Sequence, residues 1–169
     1  MTIPVGVELG PLGDEYIMDI CDNLKKLFGS ESDLVGIKLV DDQHSAIIER
    51  YNAIVDCLGS GDVDGNGWSM FKDLLLFFEL HFAFEEKMMR IMKYPGFITH
   101  ERIHARFIGN VSSFVEKINE NEETFRWLMT YVGQWFLGHA VICDEEFGEF
   151  EALYSRGFGS EGFIEGGGV

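Results

Sequence analysis

Residues 81–104 read HFAFEEKMMRIMKYPGFITHERIH, and two spacings inside this stretch decide how the chain folds. His81 and Glu85 are four apart, and so are His100 and His104. On a helix, residues so spaced project from one face about a turn apart. Between the pairs, Lys93-Tyr94-Pro95-Gly96 carries a proline that ends one helix and a glycine that eases the turn into the next. The stretch therefore predicts two consecutive antiparallel helices, each presenting two side chains able to bind a metal.

Both pairs lie on apolar stripes. Phe71, Leu74, Leu75, Phe78, Phe82, Met88, Met89 and Met92 recur at helical spacing through His81 and Glu85, and Ile103, Phe107, Val111, Phe114 and Ile118 do so through His100 and His104. A carboxylate is thus directed into a core. That costs several kcal/mol or more unless a cation or a set of hydrogen bonds receives it.

Outward from these helices, at about 68–93 and 98–118, two more are predicted. The earlier begins near Asp41-Asp42, residues suited to a helix N-terminus, and His44 heads its stripe of Ile47, Ile48, Tyr51, Ile54, Val55 and Leu58. The later begins near residues 121–123, whose acids suit the helix dipole, and runs to about Tyr154. It turns Leu128, Val132, Trp135, Phe136, His139, Ile142, Cys143, Phe147 and Phe150 inward. No strand-period segment or internal repeat appears, so an all-α, up-down-up-down four-helix bundle is expected over residues 33–154. A leader, 1–32, precedes it with a short amphipathic helix on Ile17, Ile20, Cys21, Leu24 and Leu27, and a glycine-rich tail, 155–169, is expected to be disordered.

At 169 residues and 46% hydrophobic content, the chain supports one domain with a real core. Its formal charge of -16, from 29 acidic against 13 basic residues, argues against nucleic acid or an anionic membrane as partner. No stretch approaches the roughly 20 apolar residues of a membrane span, and Met1 to Gly10 lacks the features of an export signal. Cys21, Cys57 and Cys143 are odd in number and widely spaced, so buried thiols are expected and not a disulfide framework. A cytoplasmic protein is the expectation.

Several chemistries compete for the polar residues. Asp62, Asp64, Asn66, Gly67 and Asp73 fit an EF-hand calcium loop, but Ser69 stands where an apolar residue is expected and Asp73 is shorter than the usual Glu, which favours a plain helix connection. HERIH at 100–104 also matches the HExxH pattern of zinc metallopeptidases, with a third ligand from Glu120, Glu122 or Glu123. That reading leaves His44, His81, Glu85 and His139 without a role and calls for a sheet edge to hold the peptide. A purely structural reading needs five separately satisfied core histidines and a buried Glu besides. A single site uses all five: His44, His81 with Glu85, His100 with His104, and His139 with a nearby acid. Five imidazoles and two carboxylates are too many for one tetrahedral zinc. They suit two first-row metal ions with bridging carboxylates, and mixed nitrogen and oxygen ligation of this kind favours iron.

The motifs DDQH at 41–44, HFAFEEKM at 81–88, HERIH at 100–104 and WFLGHAVICD at 135–144 make residues 36–154 resemble the hemerythrin family, the bacterial hemerythrins in particular. The resemblance implies a non-haem di-iron centre that binds dioxygen reversibly, in a carrier, store or sensor and not an enzyme of turnover. One iron would be held by His100, His104 and His139 and the other by His44 and His81, with Glu85, Asp144 and an oxo or hydroxo group bridging. The alternative is a di-iron enzyme or sensor acting on oxygen, nitric oxide or peroxide, and a separate protein partner is left open. Ile48, Phe78, Phe82, Trp135 and Phe136 are expected to line a dry oxygen pocket, with Phe136 standing where the family usually has leucine. One spacing is awkward. His139 and Asp144 are five apart, about 140° around a regular helix, whereas Cys143 would share the His139 face. Either the helix widens locally or Asp144 reaches the metals from another side. Cys143 is expected to be inert packing or an outer neighbour of the site, and Glu86 to lie at the surface or to hydrogen-bond a ligand from behind.

Overall fold

The structure, a computed structural model, describes residues 35–60, 66–116 and 122–160. Among them there is no strand. Helix α1 spans Lys38–Ser60, α2 Trp68–Met92, α3 Phe97–Val115 and α4 Glu122–His139; a π-helical turn, Ala140–Asp144, then leads directly into α5, Glu145–Ser160. Because α4, the turn and α5 run on without a break, these are the four rods of an up-down-up-down bundle. In it α1 packs on α2 and α4, and α2 also packs on α3 and α5.

Helix α1 starts earlier than the expected Asp41-Asp42. Lys38 pairs with Asp42 one turn on, at 2.8 Å, and Asp41 accepts a hydrogen bond from the Val35 backbone N–H at 3.1 Å. Asp41 therefore fastens the incoming chain to a helix already begun. The turn after α2 also differs from expectation. Lys93, and not the glycine, takes the left-handed conformation (φ 56°), and the Lys93 and Tyr94 N–H groups close the helix on the Arg90 and Met89 carbonyls. Gly96 serves by its size: a Cβ there would lie 2.6 Å from the Tyr94 ring. At the same end of the rods, Gly148 of α5 lies so close to the Val35 carbonyl that any side chain would overlap it.

The cores form two apolar clusters. One is built around Tyr51, Phe71, Leu74, Phe107, Phe125 and Phe136, the other around Val40, Met89 and Phe147. The Tyr51 hydroxyl ties α1 to α4 by donating to the Met129 carbonyl at 3.0 Å. The polar residues of the sequence pattern occupy the level between the two clusters. The last rod reaches Ser160, past the expected limit at 154, so residues 155–160 are helical and not disordered. The leader, residues 62–65 of the proposed calcium loop and the rest of the tail lie outside the described residues.

Candidate metal centre

Each rod contributes to one buried cluster. His44 comes from α1, His81 and Glu85 from α2, His100 and His104 from α3, His139 from the end of α4 and Asp144 from the π-helical turn, and none of the seven is more than 4% exposed. The amphipathic stripes place the five histidines and Glu85 there, since each of these six continues an apolar row into the bundle interior.

The π-helical turn resolves the awkward spacing on the last rod. The Glu145 N–H reaches back five residues to the Ala140 carbonyl, so the helix widens and brings position i+5 under position i. His139 Nε2 and Asp144 Oδ1 consequently lie 3.1 Å apart. The widening, one of the two outcomes left open by the sequence, turns Cys143 off the cluster. Burial, then the nearby Asp144 and Glu146 carboxylates, push its thiol up to about 11, so it stays protonated at neutral pH.

The seven residues form two overlapping groups able to hold a metal ion. His100, His104, His139, Glu85 and Asp144 make one, and His44, His81, Glu85 and Asp144 the other; within each, the ligand atoms lie within 4.8 Å of one another. The two carboxylates belong to both. Glu85 Oε2 lies 3.7 Å from His81 Nε2, 3.6 Å from His100 Nε2 and 3.4 Å from His104 Nε2. Asp144 lies 3.3 Å from His44 Nε2 and 3.2 Å from His100 Nε2. These approaches are not hydrogen bonds. Both oxygens of Glu85, both of Asp144, and Nε2 of His81 and His100 are buried without a hydrogen-bond partner.

So many orphaned lone pairs facing one point would be very unfavourable by themselves. They fit a cation: ligand atoms bonded at about 2.1 Å and at right angles on one metal ion stand about 3 Å apart, the range of spacings seen here. His104 Nε2 and His139 Nε2, only 2.8 Å apart, make the same point, since two facing nitrogens need a proton or a metal between them.

Protonation is distorted accordingly. Burial, then the His44 charge, holds His81 well below the usual imidazole range, and burial likewise lowers His104, beside His139, and His139 itself. Burial and the facing Asp144 raise Glu85 to about 7. For His100 burial is opposed by the Asp144 and Glu85 carboxylates, which prevail and raise it to about 9. Burial would raise Asp144 too, but the surrounding histidines, His139 foremost, hold it well below the usual carboxylate range.

Two residues outside the cluster orient it. The Gln43 amide oxygen is 2.9 Å from His81 Nδ1, and the Glu86 carboxylate is 3.0 Å from His104 Nδ1. Each fixes the tautomer with Nδ1–H donating, which turns the Nε2 lone pair inward. For Glu86 this is one of the two places the sequence left open, the other being the surface. Gln43 was not, although it stands next to His44 within DDQH. Glu101, the would-be base of an HExxH peptidase, points outward to Arg90 at 3.4 Å, so the peptidase arrangement is not formed.

Of the residues expected to line a pocket, Phe136 packs edge-on to His44 at 5.3 Å between ring centres and against Phe78 at 5.5 Å, and Ile48 belongs to the same cluster. Phe82 stacks on His104 at 3.8 Å and meets His81 at 5.6 Å. Trp135 packs edge-on against Phe82 at 5.7 Å and Phe78 at 6.4 Å and stacks on His139 at 4.5 Å, in the three-histidine group. No helix among the described residues is long and apolar enough to cross a membrane.

Comparison with known proteins agrees with this geometry. The chain is similar to a bacteriohemerythrin of Stenotrophomonas maltophilia, 27% identical over 75% of this chain and 82% of that protein, and to one of Pseudomonas paraeruginosa, 28% identical over 70% and 75%. It is also similar to a myohemerythrin of Sipunculus nudus, 29% identical over 79% of this chain and 92% of the relative. The family model described as the hemerythrin HHE cation binding domain matches residues 35–153, and with that match, on this bundle and around this cluster, the chain belongs to the hemerythrin family.

Proposed function

We propose that the centre holds two iron ions and binds dioxygen reversibly, in a carrier, store or sensor. One ion is held by His100, His104 and His139 and the other by His44 and His81, with Glu85 and Asp144 shared between them. The observation that carries this reading is the pair of overlapping groups, which share both carboxylates and differ by one histidine. Bound in its reduced state, such a pair supplies the two electrons that dioxygen takes up on binding and returns on release.

The chain's own residues do the rest. The two-histidine side has one donor fewer, which favours the small ligand there, and Phe136, Ile48, Phe78 and Phe82, all buried, exclude water and stray protons from it. Gln43 and Glu86 keep the His81 and His104 lone pairs aimed inward. Neither Cys57 nor Cys143 is in a disulfide, which favours a reducing compartment such as the cytoplasm.

The test is metal analysis with an optical spectrum before and after oxygen removal. Two irons per chain and a visible band that returns on deoxygenation and reoxygenation support the reading. A single zinc, or a fold untouched when His81 and His104 both become leucine, overturns it. Irreversible bleaching with peroxide consumption would point to a di-iron enzyme instead.

A further inference from the structure

Outside the metal cluster, a groove of about 370 Å³ opens between α3 and α4, the size of a small-molecule site. Its floor is aromatic: Phe107, Tyr131 and the half-buried Trp135. Phe107 and Trp135 stack at 3.9 Å and 19°, and Phe107 lies nearly parallel to Tyr131 at 6.1 Å, whose hydroxyl accepts from the Asn110 amide at 3.2 Å. On its rim stand Arg102 and Arg106, one turn apart on α3 and both exposed. They form no ion pair among the described residues, whereas Arg90 and Arg126 pair with Glu101 and Glu122. In a chain of net charge -16, two neighbouring unpaired guanidiniums over an aromatic floor are a local exception. They match the fork geometry that binds phosphate or carboxylate, while flat rings below suit a flat ring above.

We propose that this groove binds a planar aromatic anion, a ring system carrying a phosphate or carboxylate, and that the ligand is a reduced-flavin-type electron donor whose electrons reach the metal pair through Trp135. The binding half rests on the groove alone, and the electron half rests also on the di-iron reading. Trp135 is the connection, because the ring that floors the groove is the ring that stacks on His139 at 4.5 Å and 13°. An oxygen-binding iron pair that loses its oxygen as peroxide is left oxidised and needs electrons returned. In the step proposed, the dihydro ring becomes the oxidised ring by giving up two electrons and two protons. The protons leave to solvent through the open side of the groove, one electron passes to each ferric ion, and no bond forms between ligand and protein.

The test uses iron-loaded full-length protein under anaerobic conditions and flavin mononucleotide as ligand, followed by calorimetric titration. One saturable site is expected. Changing both Arg102→Ala and Arg106→Ala should weaken it at least tenfold while leaving iron content unchanged, and Lys72→Ala, an exposed cation on α2, should not weaken it. Riboflavin, which lacks the phosphate, should bind at least tenfold more weakly than flavin mononucleotide and be indifferent to the arginine changes. Inorganic phosphate alone should compete only weakly. In a second arm, reduced flavin mononucleotide at saturation bleaches the ferric band, and Trp135→Leu slows that bleaching at least tenfold. Absence of saturable binding, equal loss with Lys72→Ala, or full affinity without the arginines overturns the groove. Sound binding with a wild-type bleaching rate in Trp135→Leu overturns the electron path alone. Protein without iron overturns the di-iron reading and still lets the titration decide the groove.

Discussion

Glu85 shows how a single residue commits the fold to a cation. Its carboxylate is completely buried with both oxygens unpartnered, while Asp144 across the centre is in the same condition. The sequence made this legible because a charge on an apolar stripe has few stable explanations. Gln43 and Glu86 were harder to read, because they sit beside the stripes and reach a histidine only across a helix crossing that spacing does not encode. Replacing Glu86 by Gln or Gln43 by Leu is expected to lower metal affinity about 10- to 100-fold with the fold retained, measured by chelator competition. The protonation pattern sets the behaviour of metal-free protein. His81, His104 and His139 titrate below 6.5 when folded, so the unfolded chain binds more protons in acid and stability rises with pH up to about that value. Glu85, raised to about 7, and His100, raised to about 9, hold protons longer folded than unfolded, and their contribution is lost as pH climbs through those values. Glu86, which burial also raises, acts in the same sense as Glu85; below 6.5 three histidines outweigh the two Glu, and above it the loss dominates. Denaturant titrations of the metal-free protein should therefore find greatest stability near neutrality and a decline toward pH 9; a steady rise from 6 to 9 would contradict this.

At the scale of the element, the last rod carries the most information. Its one-residue excess was visible as the five-residue gap from His139 to Asp144, but whether the backbone or the side chain absorbed it depended on backbone hydrogen bonding, which no side-chain pattern records. A π-helical turn behaves as one inserted residue, with regular register on both sides. Removing the exposed Ile142 should thus yield a plain helix with Asp144 one turn after His139 and Phe147 still inward, and cost no more than about 1 kcal/mol in the metal-free protein. Adding one alanine after Ile142 should instead rotate buried Phe147 and the Gly148 contact away and cost about 3–5 kcal/mol, as large core losses do. Thermal unfolding of the two variants would separate them. The other helices were legible to within a few residues at their ends. The turn after α2 was placed correctly, yet its left-handed residue was not, because the closing hydrogen bonds select a position and not a residue type.

Across the whole molecule, the bundle followed from four apolar stripes and short connections, the strongest signals a sequence offers. The groove between α3 and α4 did not, since it arises from how far apart aromatic side chains prop those two rods. The positive rim is similarly invisible in a net charge of -16. Metal removal belongs to this scale because all four rods meet at the centre. Stripping the ions leaves buried charges unpaired, which costs about 3–5 kcal/mol for a broken buried pair, and in a protein of this size that lowers the melting temperature by about 6–20 °C. Differential scanning calorimetry with and without chelator measures it, and an unchanged midpoint would mean that no ion braces the bundle.

The stacking of Trp135 on His139 also gives the protein a built-in gauge. Trp68 is wedged among Phe71 and Phe125 and Trp127 lies on Phe114, so of the three indoles only Trp135 touches a histidine of the cluster. An open-shell ion behind that imidazole darkens its neighbour's ultraviolet emission. The glow of an unlabelled sample should brighten as iron leaves and dim as it returns, and a Trp135→Phe variant should lose that response while the other two indoles keep shining.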